Sequence, residues 1–398
     1  MPTTLSEKAK KVKSSSTLAI TAKAKALRAQ GEDVVSFGAG EPDFPTPENI
    51  RAAAHKAIDA GMTRYTPASG TVELKEAICK KFKEFNGLDY QTNQIVVSNG
   101  GKHSLTNVFE AILNPGDEVI IPAPFWLSYP EIVRLAGGEP VILTCGKEIG
   151  YKMTAEALKG KITPKTKALV LNTPNNPTGA IYTKDELKAI GDLAVAYDFY
   201  IVSDEMYENL FYAEGKHVSI GSLSPEIYEK TITVSGVSKS YAMTGWRIGY
   251  TGSSKEIASL MGSIQSHQTS NSCSISQAAA VEALNGGQET VAEMNAAFNE
   301  RRQYIHGRVN SLPMISAVEP QGAFYLFVDC SEVLGKKYKG KEIKDAADIA
   351  AILIEDYKVA VVPCADFGFA DHLRLSYAIS KEEIAKGLDR MEEFLKTL

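Results

Sequence analysis

The chain of 398 residues has only five cysteines, Cys79, Cys145, Cys273, Cys330 and Cys364, odd in number, widely scattered and without a Cys-x-x-Cys. That spacing argues against a disulfide scaffold or a zinc site and fits reduced thiols, most of them core filler. No stretch approaches the ~18 consecutive apolar residues that a membrane span needs. Lys8, Lys10, Lys11 and Lys13 lead into no apolar segment with a cleavage site, so no secretory leader is read and a cytoplasmic protein is expected. Charge of neither sign dominates: 43 Lys+Arg stand against 48 Asp+Glu, a net charge of -5. No broad basic face is therefore offered to nucleic acid. Gly-x-x-x-x-Gly-Lys-Ser/Thr does not occur, and Gly38-Ala39-Gly40 runs into Glu41-Pro42-Asp43 instead of completing Gly-x-Gly-x-x-Gly, which disfavours a P-loop or dinucleotide enzyme. There is no internal repeat, and low complexity is confined to Lys13-Ser14-Ser15-Ser16-Thr17.

What is present is a chain long enough for two cores, with 44% hydrophobic residues to fill them. A helix pattern over Glu73 to Phe85 is followed by strand signals at Ile95-Val96-Val97, Val119-Ile120-Ile121, Ala168 to Leu171, Tyr200-Ile201-Val202 and around Ile232, Val234 and Val237. Strands separated by helices predict an α/β unit with a mostly parallel sheet covered by helices on both faces. Each strand ends in a polar or glycine-rich loop, Ser98-Asn99-Gly100-Gly101, Pro122-Ala123-Pro124, Asn172-Thr173-Pro174-Asn175 and Ser203-Asp204-Glu205, and these loops converge on one edge. After Ser276 a long stretch rich in Ala, Glu, Gln and Arg runs to about Asn310, followed by short strands at 323–328, 359–362 and 373–375, and this change of pattern predicts a smaller α+β domain.

Lys239 sits in Ser-Gly-Val-Ser-Lys-Ser-Tyr-Ala-Met-Thr-Gly-Trp-Arg-Ile-Gly-Tyr, directly after a strand. An amine held in an apolar pocket near other cations loses its proton near neutral pH and attacks a carbonyl, whereas a solvated lysine stays protonated. Ser238 and Arg247 can hold a phosphate beside it. Gly101 and Lys102 open a helix whose free amides suit the same anion. Several residues read two ways on local pattern alone. Asp204 with Tyr207 is either a ring-nitrogen partner with a phenol or a helix N-cap with a packed tyrosine. Asn176 in Asn-Asn-Pro-Thr-Gly is a ligand or a turn residue. Trp126, one of only two tryptophans, stacks on a ligand or fills the core. Arg374 in Leu-Arg-Leu-Ser-Tyr grips a carboxylate or is an exposed strand arginine.

Taken in order, Gly38-Ala39-Gly40-Glu41-Pro42-Asp43-Phe44, Arg64-Tyr65-Thr66-Pro67, Asn175-Asn176-Pro177-Thr178-Gly179, Ser203-Asp204-Glu205-Met206-Tyr207, the Lys239 segment and Arg374-Leu375-Ser376-Tyr377 resemble the fold type I aminotransferases, subgroup I, close to the bacterial aspartate/prephenate branch. The likeness runs nearly end to end. It implies pyridoxal 5'-phosphate (PLP) bound to Lys239, with Asp204 on the ring nitrogen, Tyr207 and Asn176 on the phenolic oxygen, Trp126 on the ring face, and Gly101, Lys102, Ser238 and Arg247 around the phosphate. It implies that Arg374, Gly40, Asn176 and Trp126 meet the substrate, and that Tyr65 reaches the neighbouring subunit's cofactor phosphate in a homodimer with shared sites. By the same resemblance the large domain spans 48–281 and a discontinuous small domain takes 1–47 and 282–398.

The implied activity is transamination of amino acids with 2-oxo acids in amino-acid metabolism, L-aspartate with 2-oxoglutarate and also prephenate. An aromatic or alanine-type aminotransferase is the alternative, and a lyase using the same lysine is another. A PLP-fold transcription regulator is disfavoured, because the 39 residues before Gly40 are too few for a winged-helix module. No arginine in or just before Gln268 to Ser276 is available for a side-chain carboxylate. In the resembling branch the lysine after the double glycine does that work, and Lys102 matches it; Lys13 matches a second lysine associated with prephenate, although Ser14 stands where close relatives often have proline. Local pattern alone reads Lys102 as a helix-start lysine and Lys13 as a solvated terminal residue.

Overall fold

The computed structural model describes residues 5–10, 12 and 16–398; Lys13 lies outside them. A short strand β1 (Val35–Ser36) precedes the seven strands of the main sheet: β2 (Ile95–Ser98), β3 (Glu118–Ala123), β4 (Glu139–Thr144), β5 (Thr166–Asn172), β6 (Tyr200–Asp204), β7 (Thr231–Gly236) and β8 (Gly249–Gly252). Their order is β2-β8-β7-β6-β5-β3-β4. Only β8 runs antiparallel to its neighbours, pairing Ile95↔Gly252 on one side and Gly236↔Gly249 on the other.

Both faces of the sheet are covered. Val119, Ile121, Ala168, Val170 and Val202 pack with Leu105, Val108, Phe109, Ile132, Val133 and Met261 on one side. The intervening residues Ile120, Leu169, Leu171 and Ile201 pack on the other against Leu187, Ile190, Ala194 and Ile227. Period-two alternation, with both sets apolar, explains why these strands read as continuous hydrophobic runs. The expected strand at Ile232 and Val234 ends at Gly236, so Val237 lies just beyond it.

Two strands of the main sheet escaped the sequence reading for physical reasons. β4 is an edge strand carrying Pro140, whose missing N–H is tolerated only there. β8 is bounded by glycines because neighbours leave no room for a side chain: a Cβ on Gly249 would lie 2.4 Å from the Gly100 carbonyl carbon and Gly101 nitrogen, and one on Gly252 would lie 2.4 Å from the Tyr90 ring. The helix expected over 73–85 is Val72–Lys81, capped by Thr71 Oγ1 accepting from the Leu74 amide at 3.3 Å, and it continues as one wider π turn, Phe82–Asn86. The long helical stretch breaks at Gly286-Gly287 into Ser274–Asn285 and Glu289–Val309.

The remaining strands are β9 (Ser316–Ala317), β10 (Tyr325–Asp329), the hairpin β11 (Lys337–Tyr338) and β12 (Lys341–Glu342), β13 (Val359–Ala360), β14 (Val362–Pro363) and β15 (His372–Ser376). A second, antiparallel sheet has the order β14-β15-β10-β9, and β1 pairs in parallel with β13, Val35↔Val359. Val35 and Phe37 share one core with Phe298, Ile305, Leu326, Leu373 and Leu388, so the N-terminal segment is packed into the C-terminal half. Among the described residues no helix is long and apolar enough to cross a membrane.

The close approach of β8 to the start of helix Gly101–Ile112 yields a prediction. Gly249→Ala pushes a methyl group into backbone atoms that have no rotamer to yield, which should cost on the order of 1–3 kcal/mol. Calorimetry should record a lower Tm for this variant; an unchanged Tm would show that the helix start yields freely.

Candidate active site

The C-terminal ends of β5, β6 and β7 and the helix start after β2 surround a cavity of about 260 Å³. Gly40, Gly101, Lys102, Trp126, Asn176, Asp204, Tyr207, Ser238, Lys239, Arg247 and Arg374 all line it, so eleven of the thirteen residues singled out from sequence meet in one place. Tyr65 does not: it is 91% exposed on the outer surface. Lys13 lies outside the described residues.

Lys239 follows β7 by three residues, and its Nζ donates to the Gly40 carbonyl. Burial lowers its pKa to about 8; Arg374 and Arg247 push the same way, while Glu41 and Asp204 oppose them. The amine thus has a substantial neutral fraction near physiological pH, as a nucleophile or proton carrier requires.

Asp204 ends β6, 6% exposed, and caps no helix. Its Oδ2 accepts from the Tyr129 hydroxyl at 2.7 Å and its Oδ1 from the Met206 amide at 3.2 Å. Burial raises its pKa to about 6 despite these two donors, with Glu205 adding to the rise and Lys239 moderating it. A cation reaching this carboxylate through the cavity would restore its charge. Tyr207 is buried, its hydroxyl 3.0 Å from that of Tyr325, and burial raises its pKa well above that of a free phenol.

Arg374 is no exposed strand arginine. At 2% exposure on β15 its Nη1 donates to Asn176 Oδ1 at 3.1 Å, its Nη2 to the Gly38 carbonyl at 3.4 Å, and its guanidinium lies 4.3 Å from the Tyr325 ring centre. Its Nε has no acceptor, and among the described residues no carboxylate pairs with it. A buried guanidinium without a counter-charge is a receptor for an anion. Asn176 is held in turn by Asn172, whose Oδ1 accepts from the Asn176 amide at 2.8 Å while its Nδ2 donates to the Asp204 carbonyl oxygen at 3.0 Å.

At the opposite wall, Gly100 takes φ +86 and passes under Arg247, whose guanidinium a Cβ there would strike at 2.2 Å. Among the described residues Arg247 donates to backbone oxygens alone, of Thr244 at 2.8 Å and Asn99 at 3.3 Å, beside the free amides that begin helix Gly101–Ile112. Ser238 is buried next to it. Lys102 is partly exposed, its Nζ 4.9 Å from the Trp126 ring centre; burial of its amine and the neighbouring Arg247 lower its pKa. Trp126 meets Tyr129 edge-on at 5.4 Å.

Sequence reasoning gave no role to Tyr129, Tyr325 or Asn172, all of which line the cavity. Tyr129 follows Trp126 by only three residues, and Asn172 opens a loop already placed at the site edge. Tyr325 carried no local signal, because its place depends on β10 pairing with β15, Tyr325↔Ser376.

This cavity, at the carboxyl ends of a mostly parallel sheet, with a buried lysine of low pKa, a buried aspartate and an unpaired arginine, has the chemistry of an enzyme handling carbonyl and carboxylate groups. Residues 32–391 match the family Aminotransferase class I and II, and the chain belongs to it. It is 47% identical over 392 residues to an aspartate aminotransferase of Bacillus sp. (strain YM-2), covering 98% of this chain and 99% of that protein. It is equally 47% identical over 392 residues to an aspartate/prephenate aminotransferase of Cereibacter sphaeroides, covering 98% of each. Among solved structures, the aspartate aminotransferase of Rhizobium meliloti superposes with a TM-score of 0.95 at 42% identity over 99% of both chains. That of Thermus thermophilus with maleate gives 0.93 at 44% identity over 98% of this chain and 100% of the other.

The low pKa of Lys239 is testable without substrate. Reductive labelling of Lys239 by a small aldehyde, followed by peptide mass spectrometry, should rise with pH to a midpoint at about 8, because the neutral amine is the reactive form. A midpoint near 10.5, the value of an ordinary lysine, would mean that the amine is effectively solvated.

Proposed function

We propose that this chain is a PLP-dependent aminotransferase that passes the amino group of L-aspartate to 2-oxoglutarate, giving oxaloacetate and L-glutamate, with prephenate as a further acceptor. The observation that carries the reading is Arg374, buried and without a carboxylate partner among the described residues, in the same cavity as Lys239. The relatives named for aspartate, and maleate in the Thermus structure, support a four-carbon dicarboxylate as ligand.

PLP fits the residues present. The Lys239 amine suits its aldehyde, the buried Asp204 suits a protonated ring nitrogen, and Tyr207 and Asn176 suit the phenolic oxygen. Gly101, Ser238 and Arg247 suit its phosphate, and Trp126 suits the ring face. When bound, PLP supplies a carbonyl for the amino group and a ring that accepts the electron pair released at the substrate α-carbon. Arg374 grips the substrate α-carboxylate, with Asn176 and the Gly40 backbone beside it. The Lys239 amine would carry the proton that leaves the substrate α-carbon. Lys102 receives the side-chain carboxylate, and Lys13 contributes to the acceptance of prephenate. Tyr65 completes the neighbouring subunit's phosphate site in a homodimer, a reading its 91% exposure supports. We assign a large domain to 48–281 and a small domain to 1–47 with 282–398, supported by the pairing of β1 with β13.

An amino-donor panel with 2-oxoglutarate as acceptor tests the activity and separates it from an aromatic or alanine-type enzyme. Lys102→Ala should lower kcat/KM for aspartate by roughly 10 to 1000-fold, from loss of a charge-assisted bond, and barely change that for neutral donors. Equal losses for acidic and neutral donors would assign Lys102 to the cofactor instead. Lys239→Ala should lose transamination by several orders of magnitude while still binding PLP non-covalently, and ordinary turnover in this variant would remove Lys239 from the chemistry.

Subunit mixing tests the shared site. Tyr65→Phe and Lys239→Ala subunits combined should form hybrid dimers with one doubly altered and one intact site, so activity should partly return. A fully active monomer in sedimentation would contradict a shared site.

A further inference from the structure

Asp204 owes its orientation to a residue outside the set that touches ligand in the reading above. Each of its carboxylate oxygens has one protein donor: Oδ1 the Met206 amide at 3.2 Å, Oδ2 the Tyr129 hydroxyl at 2.7 Å. The amide is fixed by the chain. The hydroxyl is fixed by packing: Tyr129 is 1% exposed, clustered with Phe125, Val133, Val170 and Val202, and set edge-on at 5.4 Å and 86° to Trp126. Its backbone amide also donates to the Trp126 carbonyl at 3.0 Å, so one residue ties the carboxylate to the aromatic wall of the cavity.

We infer that Tyr129 is a positioning residue for the transamination proposed above: its hydroxyl holds Asp204 ionised and aimed into the cavity, so that a bound pyridine ring keeps the proton on its nitrogen. The chemistry behind this is directional. Burial keeps the Tyr129 phenol protonated, so in this contact it donates and the carboxylate accepts. A donor to a carboxylate stabilises the charged form, and burial is already working against that form at Asp204. Without the hydroxyl the carboxylate becomes more basic and competes for the proton it shares with the ring nitrogen. Proton transfer toward Asp204 would leave the ring less able to accept the electron pair from the substrate α-carbon.

Tyr129→Phe removes only the hydroxyl and retains the ring that packs against Trp126, so it should fold. The inference rests on PLP being the cofactor, and the experiment separates the two claims. Holoenzyme is loaded with PLP labelled at the ring nitrogen and followed by nitrogen NMR, with steady-state kinetics in parallel. In Tyr129→Phe the ring-nitrogen signal should move toward the unprotonated position, and kcat should fall roughly 10-fold with KM for aspartate changed much less, the size expected for one hydrogen bond to a charged group. Tyr90→Phe is the control. It deletes another buried phenol bond, Tyr90 to Thr233 at 3.1 Å, away from the cavity, and should leave both the signal and kcat unaltered. An unchanged ring-nitrogen signal in Tyr129→Phe, or an equal change in Tyr90→Phe, overturns the role of Tyr129 while leaving the aminotransferase reading intact. Wild-type protein that neither binds PLP nor transaminates overturns that reading instead.

Discussion

The structure turns on charges buried at one sheet edge without counter-charges of their own. Among the described residues Arg374, at 2% exposure, has neutral hydrogen-bond acceptors for two of its nitrogens and nothing for the third, and Asp204, at 6%, has a phenol and an amide but no paired cation. Burying an ion without its partner costs several kcal/mol, and folding alone would not favour such an arrangement. The rest of the fold tolerates it by closing both faces of the main sheet with apolar layers and fixing the loops that carry these groups. Elsewhere the chain does pair its buried ions. Glu208 meets Lys81, and Glu205 meets His217, Ser219 and Asn86, directly behind the segment that carries Asp204 and Tyr207. That contrast sets the unpaired charges apart as a ligand site.

Local geometry follows from the same constraint. The strand ends bring Asn172 and Asp204 side by side, since they are register partners on β5 and β6. Asn172 then binds both the Asp204 carbonyl and the Asn176 amide, and Asn176 binds Arg374. A chain of direct hydrogen bonds therefore runs from the aspartate to the arginine across the floor of the cavity. Tyr207 and Tyr325 add a second link, from the phenol near the aspartate to the ring beneath the guanidinium.

Much of this was legible in the sequence, and the misses have causes. Buried parallel strands such as β5 and β6 announce themselves as apolar runs, and the polar residues at their ends mark the site edge. The edge strand β4, with its proline, and the glycine-bounded β8 do not, because their composition answers to exposure in one case and steric closeness in the other. Lys239 and Arg247 stood out from one dense motif, whereas Asp204 read two ways until the structure showed it ending a strand and capping no helix. Arg374 was ambiguous by alternation because both faces of β15 are buried, so period two carries no information there. Tyr325 and the role of Tyr129 depend on contacts between segments 118 and 75 residues apart, which no local pattern encodes.

The claim that these charges await ligand charges is tested most directly by comparing the thermal stability of wild type and Arg374→Leu with and without PLP and maleate. Replacing an unpaired buried ion by an apolar group is neutral or stabilising for the empty protein, so Arg374→Leu without ligands should melt at or above the wild-type Tm. Maleate should raise the Tm of the wild-type holoenzyme and leave that of the variant unmoved. A variant that melts well below wild type when empty, yet gains as much as wild type from maleate, would mean that Arg374 serves the fold and that the dicarboxylate binds elsewhere.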